Sequence, residues 1–134
     1  MPTRLLSTSQ VERTRSANAA AGFSEARLGK LAGLTQFGVN HVTLEPGSQT
    51  ALRHWHEAED ECAYVLAGRP TLIDENGLHQ LVAGDFVGFI AGEPNAHHIV
   101  NRADEPAVLL VVGSRRPGEE TIHYPDADFG PIRK

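Results

Sequence analysis

Three histidines and one glutamate carry the chemistry open to this chain. His54, His56 and Glu61 lie in the run His54-Trp55-His56-Glu57-Ala58-Glu59-Asp60-Glu61, and His97 follows about forty residues later in Ala96-His97-His98-Ile99-Val100-Asn101. Imidazole and carboxylate together suit a divalent transition ion such as zinc, manganese, iron, copper or nickel. Three neutral imidazoles and one carboxylate would leave such an ion with a net charge of about +1 and, at six-coordination, about two positions for water or substrate. An open position separates a catalytic site from a closed structural one. With iron or manganese the chemistry would be O₂ activation; with zinc or nickel, Lewis-acid polarisation and proton transfer.

These four residues can meet only if short strands bring them together. Side chains two apart on a strand share a face, so His54 and His56 point one way and Trp55 the other. A turn through Glu57 to Asp60 would bring Glu61 back beside them. From there Glu61, Ala63 and Val65 share a face, Cys62, Tyr64 and Leu66 take the opposite one, and the small Ala63 and Val65 leave room for a ligand. His97, Ile99 and Asn101 share a face, with His98 pointing away.

Apolar alternation marks strands at Gln36–Glu45, Leu52–Glu57, Cys62–Ala67, Thr71–Asp74, Leu78–Val82, Phe86–Ile90, His97–Asn101 and Ala107–Val112. In the first, Phe37 and Val39 have one parity and Val42 and Leu44 the other, which predicts a bulge near Asn40. Asn76-Gly77 predicts a type I′ hairpin turn. About eight or nine strands at this spacing, without a long helical pattern, indicate an all-β sandwich or barrel. The tail from Arg115 reads as an extended wrapping segment. The expected division is an N-terminal arm, 1–24, and a single domain, 25–134.

The chain has 134 residues, 40% of them hydrophobic, which is one domain with a real core. Its net charge of −5 divides into +3 over residues 1–30 and −8 over the rest. An acidic body repels phosphate backbones, so nucleic acid is not an expected partner. No apolar run approaches the roughly 18 residues of a membrane span. A lone cysteine, Cys62, and the absence of a secretory core at the start predict a cytoplasmic protein. The basic arm is read as a surface arm rather than a transit peptide, tied down by a neighbouring subunit. A homodimer is expected, with Trp55 and Tyr64 in sheet packing or dimer contacts.

The punctuation around the ligand candidates resembles the cupin superfamily. Gly47, six residues, His54-Trp55-His56, four residues, Glu61, six residues and Gly68 follow the first cupin motif, with one residue added to the first gap. Gly84, five residues, Ile90-Ala91-Gly92, four residues, His97, three residues and Asn101 follow the second, with Ile90 in place of proline and two residues inserted before His97. The resemblance spans Gly33 to Gly113 and is similar in detail to small single-domain bacterial cupins loosely called sugar-phosphate-isomerase-like. It implies a double-stranded β-helix, or jelly roll, with His54, His56, Glu61 and His97 as ligands of one divalent ion per chain.

The resulting expectation is a metal-binding cupin acting on a small polar or anionic metabolite. Its chemistry would be that of an oxygenase, isomerase or lyase, with a dioxygenase-like oxidoreductase and a sugar-type isomerase as the two enzyme classes. The alternatives are a non-catalytic ligand-binding or sensing cupin and a barrel cross-linked by a structural metal. Titratable candidates beside the site are His41, His123 and Tyr124, with His41 also read as a strand-surface residue and His123 as a packing residue. Gln36, Gln49 and Asn101 are candidates for orienting ligands. Arg53 is expected on the surface or at an interface.

Overall fold

The computed structural model describes residues 3–15 and 21–134. Eleven strands form among them: β1 Phe23–Ala26, β2 Phe37–Leu44, β3 Trp55–His56, β4 Glu61–Ala67, β5 Thr71–Asp74, β6 Gly77–Gln80, β7 Phe86–Phe89, β8 His98–Val100, β9 Ala107–Ser114, β10 Thr121–His123 and β11 Ile132–Arg133. A four-residue helix, α1 Leu28–Leu31, and a 3₁₀ turn at Thr8–Gln10 are the helical elements described. All strand pairs are antiparallel, and they make a five-stranded sheet in the order β1-β2-β9-β4-β7 and two three-stranded sheets, β11-β10-β3 and β6-β5-β8. This is the all-β architecture that the strand spacing predicts, in the jelly-roll form that the resemblance implies.

The core lies between the five-stranded sheet and β5–β8. Leu44 and Leu109 are fully buried, and Phe23, Val42, Val65, Leu72 and Ile99 pack with them. Parity runs as expected along β4: Ala63 and Val65 are buried, whereas Tyr64 and Leu66 are exposed. Removing apolar surface from water on this inner face drives the fold.

Several local expectations differ. β2 pairs with β9 in unbroken register from Phe37–Ser114 to Leu44–Ala107, so Asn40 sits in no bulge. The apparent parity switch arises because β2 is apolar on both faces: Val42 and Leu44 go to the core, and Phe37 stays half-exposed outside. The register shift falls instead between Val65 and Ala67, where β4 slips against β9. The β5–β6 hairpin is not type I′. Asp74 pairs with Gly77, Glu75 and Asn76 make the loop, and only Gly77 takes positive φ. The Asp74 carboxylate accepts the Asn76 N–H at 2.8 Å, and this local capture sets the turn. The strand expected over Leu52–Glu57 shortens to Trp55–His56, because Leu52 and Arg53 lie in a bend.

The segments that flank the family-like barrel contribute strands too. β1 adds an edge to β2, and β10 pairs with both β3 and β11. The arm is fastened by its own chain: Arg13 donates to Ser24 Oγ at 3.0 Å, to Thr43 Oγ1 at 3.1 Å and to the His41 carbonyl at 3.1 Å. The rest of the arm, residues 1–2 and 16–20, lies outside the described residues. No helix among the described residues is long and apolar enough to cross a membrane.

Two motif glycines predict a graded response. Gly47 and Gly68 both have φ near the left-handed region, at 87° and 85°. A Cβ on Gly47 meets nothing within 4 Å, whereas one on Gly68 comes within 2.5 Å of the Pro106 carbonyl oxygen and 2.7 Å of Ala107 Cα. Gly47→Ala should cost only backbone strain, about 1–2 kcal/mol. Gly68→Ala should cost more, since backbone atoms must move, and paired urea denaturation curves would contradict this if the two losses were equal.

Candidate metal centre

The four ligand candidates meet at one end of the barrel. His56 is in β3, Glu61 opens β4, and His54 and His97 face each other through an isolated two-residue bridge. In that bridge the His54 N–H donates to the His97 carbonyl at 3.1 Å and the His97 N–H returns to the His54 carbonyl at 2.9 Å. The reciprocal pair fixes both backbones, so two residues distant in sequence present side chains together. Glu61 is held between Phe89 of β7 and Gly113 of β9. One ligand atom from each of His54, His56 and Glu61 falls within 4.8 Å of the others. His97 joins through Glu61, with its Nε2 2.9 Å from Oε1.

Hydrogen bonds on the far side of each ring decide which nitrogen faces the cluster. His54 Nδ1 lies 2.8 Å from the Leu52 carbonyl, His97 Nδ1 lies 2.9 Å from the Asn95 carbonyl, and His56 Nδ1 lies 2.7 Å from Glu120 Oε2. A carbonyl or carboxylate oxygen only accepts, so each Nδ1 must donate, and each Nε2 is left to face the cluster. His56 Nε2 is buried and has no hydrogen-bond partner; Glu61 Oε2 is 3.7 Å away. Both ring nitrogens of His97 face oxygen acceptors. That ring therefore either carries two protons or turns an Nε2 lone pair to a cation shared with Glu61. An orphaned buried nitrogen, three imidazoles whose Nδ1 atoms are already engaged and a carboxylate fit a divalent cation.

The electrostatics favour ligand protonation states at Glu61 and His54 but not at His56. Burial would raise the Glu61 carboxyl, but His56 and His97, with further attraction from His54, hold it well below the usual carboxylate range. Burial lowers the pKa of His54, favouring the neutral imidazole that a metal requires. Burial would lower His56 as well, yet the Glu61 and Glu120 carboxylates outweigh it and raise its pKa.

Glu120 is the functional residue that sequence reasoning missed. Its side chain is fully buried, and it accepts from both His56 Nδ1 and the Ala58 N–H, the latter at 3.0 Å. The signal was present but faint: Glu120 shares strand parity with buried Ile122 in a tail that otherwise reads as charged coil. Phe89 was missed too. Its ring lies flat on His97 at a centroid distance of 3.4 Å and an interplanar angle of 2°.

Other candidates separate by position. The Tyr124 ring stands 5.7 Å from His54 and is the titratable candidate that reaches the cluster. Burial and the Glu61 charge raise its pKa. His123 pairs across from Trp55, stacks on it at 4.2 Å and contacts Glu57, away from the four ligands. His41 lies beside Arg13; burial and that guanidinium lower its pKa. His98 turns its Nδ1 to the Ala51 carbonyl at 2.8 Å and makes no bond to Glu61. Asn101 does not orient a ligand: its amide donates to the Leu44 and Glu105 carbonyls and accepts the Ala103 N–H, stapling the β8–β9 connection. Gln49 pairs with Val100 through its backbone, and Gln36 accepts the Arg115 N–H through its carbonyl. Arg53 is an internal clamp, donating to Asp126 at 2.8 and 3.1 Å and to the Ala96 carbonyl at 3.2 Å, so it ties the tail to the residue preceding His97.

Residues 40–113 match the cupin domain family model. A sugar phosphate isomerase of the cupin superfamily from Silicibacter pomeroyi is 41% identical, with a TM-score of 0.85 over 96% of this chain and 90% of that one. A protein of Acidithiobacillus ferrooxidans provisionally called a sugar phosphate isomerase is 32% identical, with a TM-score of 0.81 over 92% and 82%. The polyketide cyclase RemF from Streptomyces resistomycificus is similar in fold, at 19% identity and a TM-score of 0.76 over 94% and 87%. No curated protein matches this chain.

Replacing Glu120 tests the support of His56 without reference to any ion. Glu120→Ala leaves the Ala58 N–H and the His56 Nδ1–H without acceptors, at about 1–3 kcal/mol for each group. Glu120→Gln keeps an acceptor and should recover most of that loss. Denaturation of the metal-free variants would contradict this account if the two were equally destabilised.

Proposed function

Because the chain belongs to the cupin family, we propose that it holds one divalent transition ion on His54, His56, Glu61 and His97 and uses it to bind and transform a small oxygen-donor metabolite. The observation that carries this reading is the convergence of the Nε2 atoms on Glu61, with His56 Nε2 buried and unpartnered. These ligands accept zinc, iron, manganese or nickel. When bound, the ion supplies Lewis-acid polarisation or, if redox-active, oxygen chemistry.

The chain's own residues supply the rest. Glu120 and the Leu52 and Asn95 carbonyls hold the imidazoles in the required tautomer. Phe89 keeps water and rotation from His97. Tyr124, beside His54, is the proton donor in reach of a ligand there, because its hydroxyl stays protonated at neutral pH. Isomerase or lyase chemistry follows from this donor and agrees with the activity named for the relative from Silicibacter pomeroyi. Oxygenase chemistry would follow from the same ligands if the resident ion is iron. A cytoplasmic setting is part of the reading, supported by the single free cysteine.

A homodimer also belongs to this proposal. The outer face of the five-stranded sheet exposes Phe37, Tyr64, Leu66 and Phe86, with Tyr64 directly opposite Phe86. Large exposed apolar side chains on one sheet face are the kind that soluble proteins cover with a partner. Trp55 is not part of it, since that ring is spent on His123. Light scattering should give twice the chain mass and Phe86→Glu should shift it to monomer; a monomeric wild type would contradict the dimer.

Protein purified without added metal should contain about one transition ion per chain, measured by elemental analysis. His56→Ala should lose most of it, and acidification through the histidine range near pH 6.5 should release it, since the ligands must be deprotonated. Tyr124→Phe should keep the ion and lose turnover. Unchanged metal content in His56→Ala would contradict the metal reading, and turnover that survives Tyr124→Phe intact would remove Tyr124 from it. An ion held without turnover of any isomerase or oxygenase substrate would favour a sensing cupin.

A further inference from the structure

The metal centre opens on a cavity of about 190 Å³ rimmed by His54, Glu61 and His97. Its wall is built chiefly from Phe23, Val42, Ala63, Phe89, Ile99 and Val111, and its polar members include Glu25, Asn40 and Thr50. None of the described lining residues is arginine or lysine. Glu25 is the charge in the wall apart from Glu61, and it is negative and already paired with Arg27 at 2.9 Å. Thr50 Oγ1 already accepts the Ile99 N–H at 3.1 Å, and His98 Nδ1 is committed to the Ala51 carbonyl.

A phosphate dianion needs guanidinium, ammonium or a helix N-terminus to replace its hydration. This wall offers none of these, and burying an uncompensated charge there would be strongly unfavourable. Apolar side chains instead favour a body that leaves water without leaving charge behind. The volume lies below the roughly 300–1,000 Å³ of pockets for drug-sized ligands, so the occupant is small.

From this we infer that the substrate has a single oxygen-donor head, which reaches the His54–Glu61–His97 rim, and an uncharged, largely apolar body, and that it is not a sugar phosphate. The inference rests on the metal reading above and narrows it. The chelating head accounts for the rim and the aliphatic body for the wall. The consequence is that this chain and the relatives named for sugar phosphates differ in what they accept, although they share a fold.

Two hydroxamates with the same chelating head separate the possibilities. Butyrohydroxamate carries a short alkyl body, and phosphoglycolohydroxamate carries a phosphate in its place. Both would be titrated calorimetrically into the full-length protein after its metal content has been measured. The alkyl compound should bind at least about tenfold more tightly. Metal present with the phosphate compound bound equally or more tightly, or with neither compound bound, would overturn the substrate class while leaving the metal reading intact. Protein that takes up no metal even when it is supplied would overturn the metal reading itself, and this inference with it.

Discussion

The site depends on one constraint: the outer nitrogens of three histidines are already occupied. Each Nδ1 meets an oxygen acceptor, two of them main-chain carbonyls and one the buried Glu120 carboxylate. A neutral imidazole whose Nδ1 donates must offer its Nε2 lone pair elsewhere. All three are therefore directed at Glu61 before any ion is considered. The arrangement is costly without a cation, because buried acceptors then face one another with too few protons between them. That cost is the physical reason for reading the cluster as a metal centre rather than a satisfied polar core.

The barrel supplies the frame, and its terminal segments complete it. Antiparallel register fixes Glu61 between β7 and β9, and the reciprocal His54–His97 bridge fixes the two loops. The remaining support comes from outside the family-matched region, 40–113. Glu120 reaches His56 because β10 pairs with β3, placing Ile122 opposite His56. Arg53 holds Asp126, so Tyr124 stays near His54. At the other end β1 contributes Phe23 and Glu25 to the cavity wall. The common fold thus places the ligand candidates, and the terminal segments of this chain shape what surrounds them.

Much of this was legible in the sequence. Period-2 alternation located β4, β5, β7 and β9, and the His-x-His spacing put two imidazoles on one face. Strand parity set His97 and His98 on opposite faces, and in the structure His97 contacts Glu61 whereas His98 turns to Ala51. What stayed illegible depends on partners distant in the chain. Glu120 looks like one more charge in an acidic tail until β10 pairs with β3. Arg53 looks like a surface cation until Asp126 reaches it. Asn101 belongs to the motif pattern, yet its amide is consumed by three backbone groups. The Asn76-Gly77 turn failed for a local reason, because the Asp74 carboxylate offers Asn76 a nearer partner.

The central claim is that His54, His56 and His97 face a common cation through Nε2 together with Glu61. An anomalous difference map from crystals of protein grown without added metal, collected across transition-metal absorption edges, tests it most directly. The account predicts one peak bonded to Nε2 of all three histidines and to a Glu61 carboxylate oxygen. A cluster that gives no peak after metal soaking, with His97 Nε2 still hydrogen-bonded to Glu61, would contradict it.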